Sequence, residues 1–291
     1  MIYQEPRFAL AGDRFVEMEL GDELSFDLNL RVHSLAAAIR ASGVSGVVEI
    51  VPVIASILIS YDWRRISHAD LVVEMKRLHA SLGPVEEMEL ESRIVYVPVL
   101  YFDPWTRACY EEYCEKVTKK EFDVDILLRL NNLHDRAELV RRHSGTEYWV
   151  AALGFWPGLA SLMPLDPRCR LTAPKYNPPR SWTWTGTIGH GGSIAAIYPD
   201  QTPGGYQMFA RTPVPVQDKQ QRLPAFRESI ALLRPGDRVR FYPVDRDEYD
   251  HIEAEVEAGT YEHQVVAYQK FSLGLYQRWL ADIGTAASTA S

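Results

Sequence analysis

The sequence predicts an α+β protein in which an N-terminal ferredoxin-like α+β domain precedes an all-β, barrel-like domain. Three observations carry that expectation. Strand and helix periodicities alternate over the first hundred residues in the order β-α-β-β-α-β. A charged helical stretch follows, and from Glu147 to about Pro243 the chain is rich in Gly, Pro, Trp and short β signals. The 291 residues are 46% hydrophobic and 24% charged, enough apolar surface for a core or two, and the length favours two domains over one.

The elements follow from local pattern. Val16, Met18 and Leu20 alternate with Phe15, Glu17 and Glu19, the period of a strand. Leu30 to Ile39 has helical spacing and ends at Gly43, where a helix C-terminal glycine belongs. Apolar strands are predicted at Val47 to Val53 and Ser56 to Tyr61. A helix from His68 to Leu82 then places Leu71, Met75, Leu78 and Leu82 on one stripe before Gly83-Pro84. Arg93 to Tyr101 reads as the closing strand of the first domain. Trp105 to Ser144 is helical, with a break at Lys119-Lys120-Glu121 and a short helix from Asp135 to Arg142. Glu147 to Leu153 and Arg238 to Pro243 read as strands, the second entered through the turn Pro235-Gly236-Asp237. A helix at Asp247 to Ala258, a strand near His263 to Tyr268, a helix at Leu273 to Ile283 and a small polar tail from Gly284 complete the chain. The expected boundaries are 1–104 for the α+β domain, 105–146 for a helical connector, 147–245 for the barrel and 246–291 for a C-terminal extension.

Composition narrows the function. A formal net charge of -8 argues against nucleic acid, whose phosphates demand an excess of Lys and Arg. No apolar run approaches the roughly 20 residues of a membrane span, and the first residues lack the pattern of a signal peptide, so a cytoplasmic location is expected. Cys109, Cys114 and Cys169 form no CxxC pair and are expected to be plain buried thiols. No HxxxH, HExxH or carboxylate cluster suggests a metal, and there is no P-loop or GxSxG elbow.

The structurally demanding residues concentrate between Gly154 and Thr212. Gly154-Phe155-Trp156-Pro157-Gly158 resembles the GFxPG signature shared by allophanate hydrolase subunit 1 and the B component of 5-oxoprolinase. Four further blocks resemble the urea carboxylase form of that domain: Asp166 to Leu171, Lys175-Tyr176-Asn177-Pro178-Pro179-Arg180-Ser181-Trp182-Thr183, Ile188-Gly189-His190-Gly191-Gly192, and Pro203-Gly204-Gly205-Tyr206-Gln207. Ordered matches across several blocks are far more specific than any one glycine motif. The resemblance is to the first half of the urea carboxylase carboxyltransferase domain. It implies an α+β domain followed by a cyclophilin-like β-barrel, paired with a second half resembling allophanate hydrolase subunit 2. The hydrolase and oxoprolinase relatives tend to carry arginine where Lys175 stands, and urea carboxylases carry the lysine. At such a position the two are not equivalent, because only Arg offers a planar fork.

Residue chemistry points to a ligand-facing surface in the same region. Lys175 and Arg180 lie in a Pro-rich segment that cannot be helical, so both can reach one pocket, and paired cations suit a carboxylate or a developing oxyanion. Ordinary surface basicity is the commoner fate of such residues. Pro203-Gly204-Gly205 offers backbone able to adopt φ > 0 and approach a ligand closely, as do Gly189, Gly191 and Gly192 around His190; these glycines can equally turn barrel corners. His190 stands where urea carboxylases usually have an apolar residue. It can shuttle a proton, tune substrate choice or fill space. His143, at a helix end, can cap that helix as an imidazolium or act in catalysis. Trp156, Trp182 and Trp184 are either a platform for a planar group or barrel core, with core preferred for Trp182. His251 and His263 read as surface or packing residues.

The resemblance implies one subunit of a biotin-dependent carboxylase, moving CO2 from carboxybiotin to a nitrogen of urea or a related amide or guanidine, and the residue chemistry is compatible with it. Biotin would be carried by a partner protein or domain and ATP used by a biotin carboxylase component, because no MKM-type biotin acceptor and no ATP motif is present. Lys175 and Arg180, with His190 as a further candidate, would be catalytic. Trp156 and Pro203 to Gln207 would bind substrate: Gly204 and Gly205 would donate backbone hydrogen bonds, and Tyr206 or Gln207 would orient the acceptor. His143, Tyr176 and Asn177 stand as lesser candidates. Two rivals differ in class: a subunit of an ATP-dependent 5-oxoprolinase-type amidohydrolase, and a binding protein like the family member that docks on a sporulation histidine kinase.

Overall fold

The computed structural model describes residues 1–84, 87–267 and 269–289, with side chains to Gly284. The chain divides into two compact units, Met1–Ser92 with Tyr268–Ser291, and Arg93–Ala267.

The first unit contains β1 (Ile2–Leu10), β2 (Phe15–Gly21), α1 (Phe26–Ser42), β3 (Val47–Pro52), β4 (Ser56–Tyr61), α2 (His68–Ala80) and β5 (Glu89–Glu91). Its antiparallel sheet has the order β1-β2-β4-β3. The alternation in β2 places Val16, Met18 and Leu20 inward, all essentially buried, against Leu28, Val32, Leu35 and Ile39 of α1 and Leu71, Met75 and Leu78 of α2. Ser25 caps α1 through Leu28 N–H, and Gly43 closes it with φ 60, the left-handed conformation that favours glycine.

One expectation fails here. Arg93 to Tyr101 does not close this sheet. The edge beside β2 is instead filled by β1, an N-terminal strand interrupted by Pro6 and largely exposed, which carries little alternating signal. The fourth strand of a ferredoxin-like split unit is therefore absent from this sheet.

The second unit contains β6 (Ile94–Tyr101), α3 (Pro104–Lys116), α4 (Asp123–Leu130), α5 (Arg136–Ser144), β7 (Glu147–Leu153), β8 (Ala160–Pro164), β9 (Thr187–Gly191), β10 (Ile194–Ile197), β11 (Gln207–Arg211), β12 (Arg238–Pro243), α6 (Arg246–Ala258) and β13 (Val265–Val266). The strand order is β11-β9-β10-β8-β7-β12-β6-β13, and a further β11–β6 pairing closes the first seven into a barrel. Closure leaves none of the seven as a free edge. The strand β6 completes it: it runs parallel to β12 from Ile94↔Arg238 to Val99↔Pro243, and antiparallel to β11 at Leu100 and Tyr101. Its alternating Val95, Val97 and Val99 are fully buried in a core shared with Tyr148, Val150, Ile188, Phe209 and Phe241. This is why the chain divides at Ser92 and not at 104, and why 105–146 and the α6–β13 segment belong to the barrel unit instead of standing as connector and extension.

The last elements return to the first unit. Residues of β14 (Lys270–Ser272) pair with β5, and α7 (Leu273–Thr289) follows. The predicted tail is thus helical through Thr289, consistent with the high helix propensity of its alanines; Ser291 and Tyr268, the latter the predicted end of a strand, lie outside the described residues. Of the cysteines only Cys109 is buried, while Cys114 and Cys169 are intermediate. Among the described residues no helix is long and apolar enough to cross a membrane.

Candidate functional site

The segment from Ala173 to Arg180 cannot be helical because of Pro178 and Pro179, and it finds backbone partners across the chain instead. Ala173 and Gly192 exchange hydrogen bonds of 3.0 and 2.7 Å. Tyr176 N–H donates to Gly205 O (2.6 Å), Arg180 N–H to Gly204 O (2.8 Å), and Gly204 N–H back to Arg180 O (3.1 Å). These bonds lay the 175–180 loop along the Pro203–Gln207 turn. The two segments, distant in sequence, thus form one surface.

Arg180 lies 2% exposed within it. Its Nη1 donates to Tyr206 O (2.8 Å), Nε and Nη2 reach Thr183 Oγ1 (3.3 Å each), and Nη2 reaches Tyr198 Oη (3.4 Å). The guanidinium stacks 4.2 Å from the Tyr176 ring centroid. Lys175 is different. It is exposed, its Nζ stands 5.5 Å from the Tyr206 centroid, and it has neither ion pair nor hydrogen bond among the described residues. Arg180 therefore organises the loop from within, and Lys175 offers an uncommitted ammonium at its surface.

Beneath the loop lies a buried polar network. The Asp123 carboxylate, fully buried in the first turn of α4, accepts from Tyr176 Oη (2.6 and 2.8 Å), from Met208 N–H (2.7 Å) and from the Lys120 ammonium. Lys120 also donates to Gln207 Oε1 (3.0 Å) and lies 4.1 Å from the Tyr176 centroid. Burial pulls the Lys120 pKa below the usual lysine range against the opposing pull of Asp123, and burial pushes the Tyr176 phenol far up. At neutral pH Tyr176 stays a donor, so every oxygen and ammonium proton at the centre of the network has a partner.

Several expected roles change on this geometry. Neither Gly204 nor Gly205 has positive φ, and Gly204 N–H is already spent on Arg180, so it cannot serve a ligand. What requires glycine at 204 is space: a Cβ there would meet Tyr198 Oη at 2.5 Å. Gly189 and Gly191 are likewise strand residues packed on Tyr206, and only Gly192 takes positive φ. Gln207 cannot orient an acceptor, because its Oε1 holds Lys120 and its Nε2 donates to Pro174 O at 2.6 Å. Asn177 and Pro203 are exposed on the loops, and Tyr206 is half-buried between them. Trp156 packs with Leu159, Ala196, Tyr198 and Tyr206 beside the site. Trp182 is half-buried and meets Trp184 edge-on at 5.3 Å, so it is not barrel core.

The two histidines are wholly buried in the barrel unit. His190 is fully buried in β9, neither ring nitrogen has a protein partner, and burial pulls its pKa down to about 3. His190 therefore stays neutral at physiological pH, and its surroundings give the shuttle reading no support. His143 is also fully buried, stacked 4.4 Å from Phe241, with Nδ1 bonded to Tyr101 Oη at 2.7 Å. Burial, with a lesser contribution from His190, holds it well below the usual histidine range, so it is no imidazolium helix cap. Reading the sequence missed Asp123, Lys120, Thr183 and Tyr198. Thr183 closes the Lys175–Thr183 block and Lys120 sits at the helix break, but neither position revealed its partners.

An exposed ammonium thus stands beside an aromatic face on loops braced by a buried guanidinium and carboxylate, an arrangement that can chemically accommodate an anionic oxygen next to a flat group. The chain belongs to the family described as "Carboxyltransferase domain, subdomain C and D", whose profile matches residues 6–227. Among its relatives, urea amidolyase of Saccharomyces cerevisiae is 31% identical over 280 residues, covering 93% of this chain and 15% of that protein. The B component of 5-oxoprolinase from Bacillus subtilis is 28% identical over 249 residues, covering 82% of this chain and 92% of that protein. The crystal structure of Kluyveromyces lactis urea carboxylase superposes with a TM-score of 0.86 at 26% identity, over 99% of this chain and 26% of that one. The chain thus spans only a small part of its urea amidolyase and urea carboxylase relatives. Relatives in this family are enzymes or enzyme components.

Proposed function

We propose that this chain supplies part of the carboxyltransferase site of a biotin-dependent carboxylase acting on a nitrogen of urea or a related amide or guanidine. The reading is supported chiefly by the backbone bonds that join Lys175, Arg180 and the Pro203–Gln207 turn on one surface, in a chain that resembles urea carboxylase over 99% of its length. Carboxybiotin, presented by a partner, supplies the carboxyl group. That group would supply the carboxyl carbon: a C–N bond to the acceptor would form as the C–N bond to biotin broke, with the acceptor's proton taken up by the biotin nitrogen. The residues fit such a group: the Lys175 ammonium is free to hold a carboxylate oxygen, and the Tyr206 face beside it suits a flat ureido ring. Arg180, buried and bonded to Tyr206 O, Thr183 and Tyr198, is assigned the part of positioning the turn. The remaining half of the site, the biotin carrier and the ATP-using component come from partner chains or domains.

The test is reconstitution with those partners. Lys175→Ala is expected to lower urea-dependent carboxylation by about tenfold or more, as loss of a charge-assisted contact implies. Lys175→Arg should restore only part of it. Unchanged carboxylation in Lys175→Ala sinks the assignment. A second reading, one component of an ATP-dependent 5-oxoprolinase, is favoured by the match to 92% of the Bacillus subtilis protein. The same complexes assayed for ATP turnover with urea or with 5-oxoproline distinguish the two.

A further inference from the structure

A second concavity in the barrel unit shares only Met208 with the network above. It is a cavity of about 250 Å3, lined among others by Phe102, Arg107, Phe122, Arg136, Met208 and Phe209. That is room for a small organic molecule. Its floor is β11, and its walls come from the starts of α3, α4 and α5.

Three features of its lining point the same way. The walls are aromatic and apolar. Two guanidiniums stand against them, Arg107 at 4.7 Å over the Phe122 ring and Arg136 at 5.1 Å over the Phe102 ring. Arg136 has no hydrogen bond or ion pair among the described residues, and Arg107 is tied only through an exposed pairing of Nε with Glu111, which leaves its other N–H groups available. Third, Phe102 has φ 57, a conformation that a bulky side chain adopts at a cost, and its N–H is pinned to Phe209 O at 2.8 Å. That hydrogen bond helps to hold the conformation, which sets the Phe102 ring as a wall beneath Arg136. One acidic group, Asp103, also lines the cavity, but it is 2% exposed and both its oxygens are occupied by Thr106 at 2.8 Å.

The geometry points to a binding site for a small anion with a flat apolar body, an aromatic or unsaturated carboxylate or phosphate ester, with its charge between Arg136 and Arg107 and its body on Phe102, Phe122 and Met208. The site is separate from the proposed carboxyl-transfer surface, although Met208 N–H, on its floor strand, also bonds Asp123 beneath the 175–180 loop.

The experiment titrates the full chain with phenylacetate, phenyl phosphate and the neutral phenylacetamide, following the Met208 methyl by NMR and the heat by calorimetry. The expected result is a saturable shift at Met208 with at least one of the two anions, weaker by about tenfold or more for the amide and for Arg136→Ala, a loss of about 1.4 kcal/mol. Arg107→Ala should weaken it less, since part of that guanidinium is already engaged. Whichever anion binds tighter identifies carboxylate or phosphate as the natural head group. Both arginines are exposed, so neither change threatens folding. No saturable shift at Met208 with either anion up to about 20 mM, equal binding of the amide, or unaltered binding in Arg136→Ala overturns the assignment.

Discussion

Asp123 and His190 are both wholly buried in the barrel unit, and they differ in their surroundings. Asp123 is met by Tyr176, Met208 N–H and Lys120, so its charge is paired and its oxygens filled. His190 has two ring nitrogens without a protein partner, and nearby His143 Nε2 and the Tyr148 hydroxyl are equally bare. A polar group taken from water costs free energy unless it regains its hydrogen bonds. The first cluster therefore fixes the geometry of the loops above it, and the second is tolerated only while its histidines remain neutral. Burial thus has opposite meanings in the two places.

The largest expected effect is on the histidines. The unfolded chain takes up a proton at His190 near pH 6.5, and the folded chain refuses it until about pH 3. Folding stability is therefore fully present above about pH 6.5 and falls as the pH drops toward 3, by up to about 5 kcal/mol at about 1.4 kcal/mol per pH unit. His190→Leu should flatten this fall without removing it, because His143 behaves alike. Urea melts between pH 7 and 4 measure it, and equal slopes for the two proteins would show that His190 is not the group responsible. Next comes Asp123→Ala, which strands Lys120 and Tyr176 and should cost about 3–5 kcal/mol at pH 7. A loss below about 1 kcal/mol would mean the network does not hold the loop. The smallest is Gly204→Ala, where the new methyl collides with Tyr198 and should cost about 1–3 kcal/mol. Trimming the obstacle with Tyr198→Ala in the same chain should recover part of that loss relative to Tyr198→Ala alone.

How far the sequence could be read follows the same division between local and distant causes. Helix ends and alternating strands are set by near neighbours: β4 appears where Ser56 to Tyr61 predicts it, α2 starts at His68, and Gly43 ends α1. Which sheet a strand joins is a distant matter, and there the expectation for Arg93 to Tyr101 failed, since its partners lie near residues 208 and 240. The loop cluster shows both sides. Two prolines forbid helix between Lys175 and Arg180, so their loop was legible, and the Pro203–Gln207 turn was marked by its glycines. That Arg180 would be sunk and Lys175 left outside was not, because burial depends on Tyr176, Thr183 and Tyr198 arriving together. Asp123 gave no sign at all: a carboxylate in the first turn of a charged helix ordinarily favours the dipole and faces water.

The parallel pairing of β6 with β12 carries a consequence for how the chain is made. Ile94–Tyr101 leaves the ribosome long before Arg238–Pro243, and the two-residue contact with β11 comes little earlier, so the first barrel strand must wait with both edges bare. Glu89–Glu91 waits longer still, for Lys270–Ser272. Late closure of this kind slows folding and leaves strand edges open to wrong neighbours during synthesis. Chains that stop short of residue 238 should therefore be captured by chaperones or aggregate, and the nascent protein is most vulnerable in the interval between its two halves of one ladder.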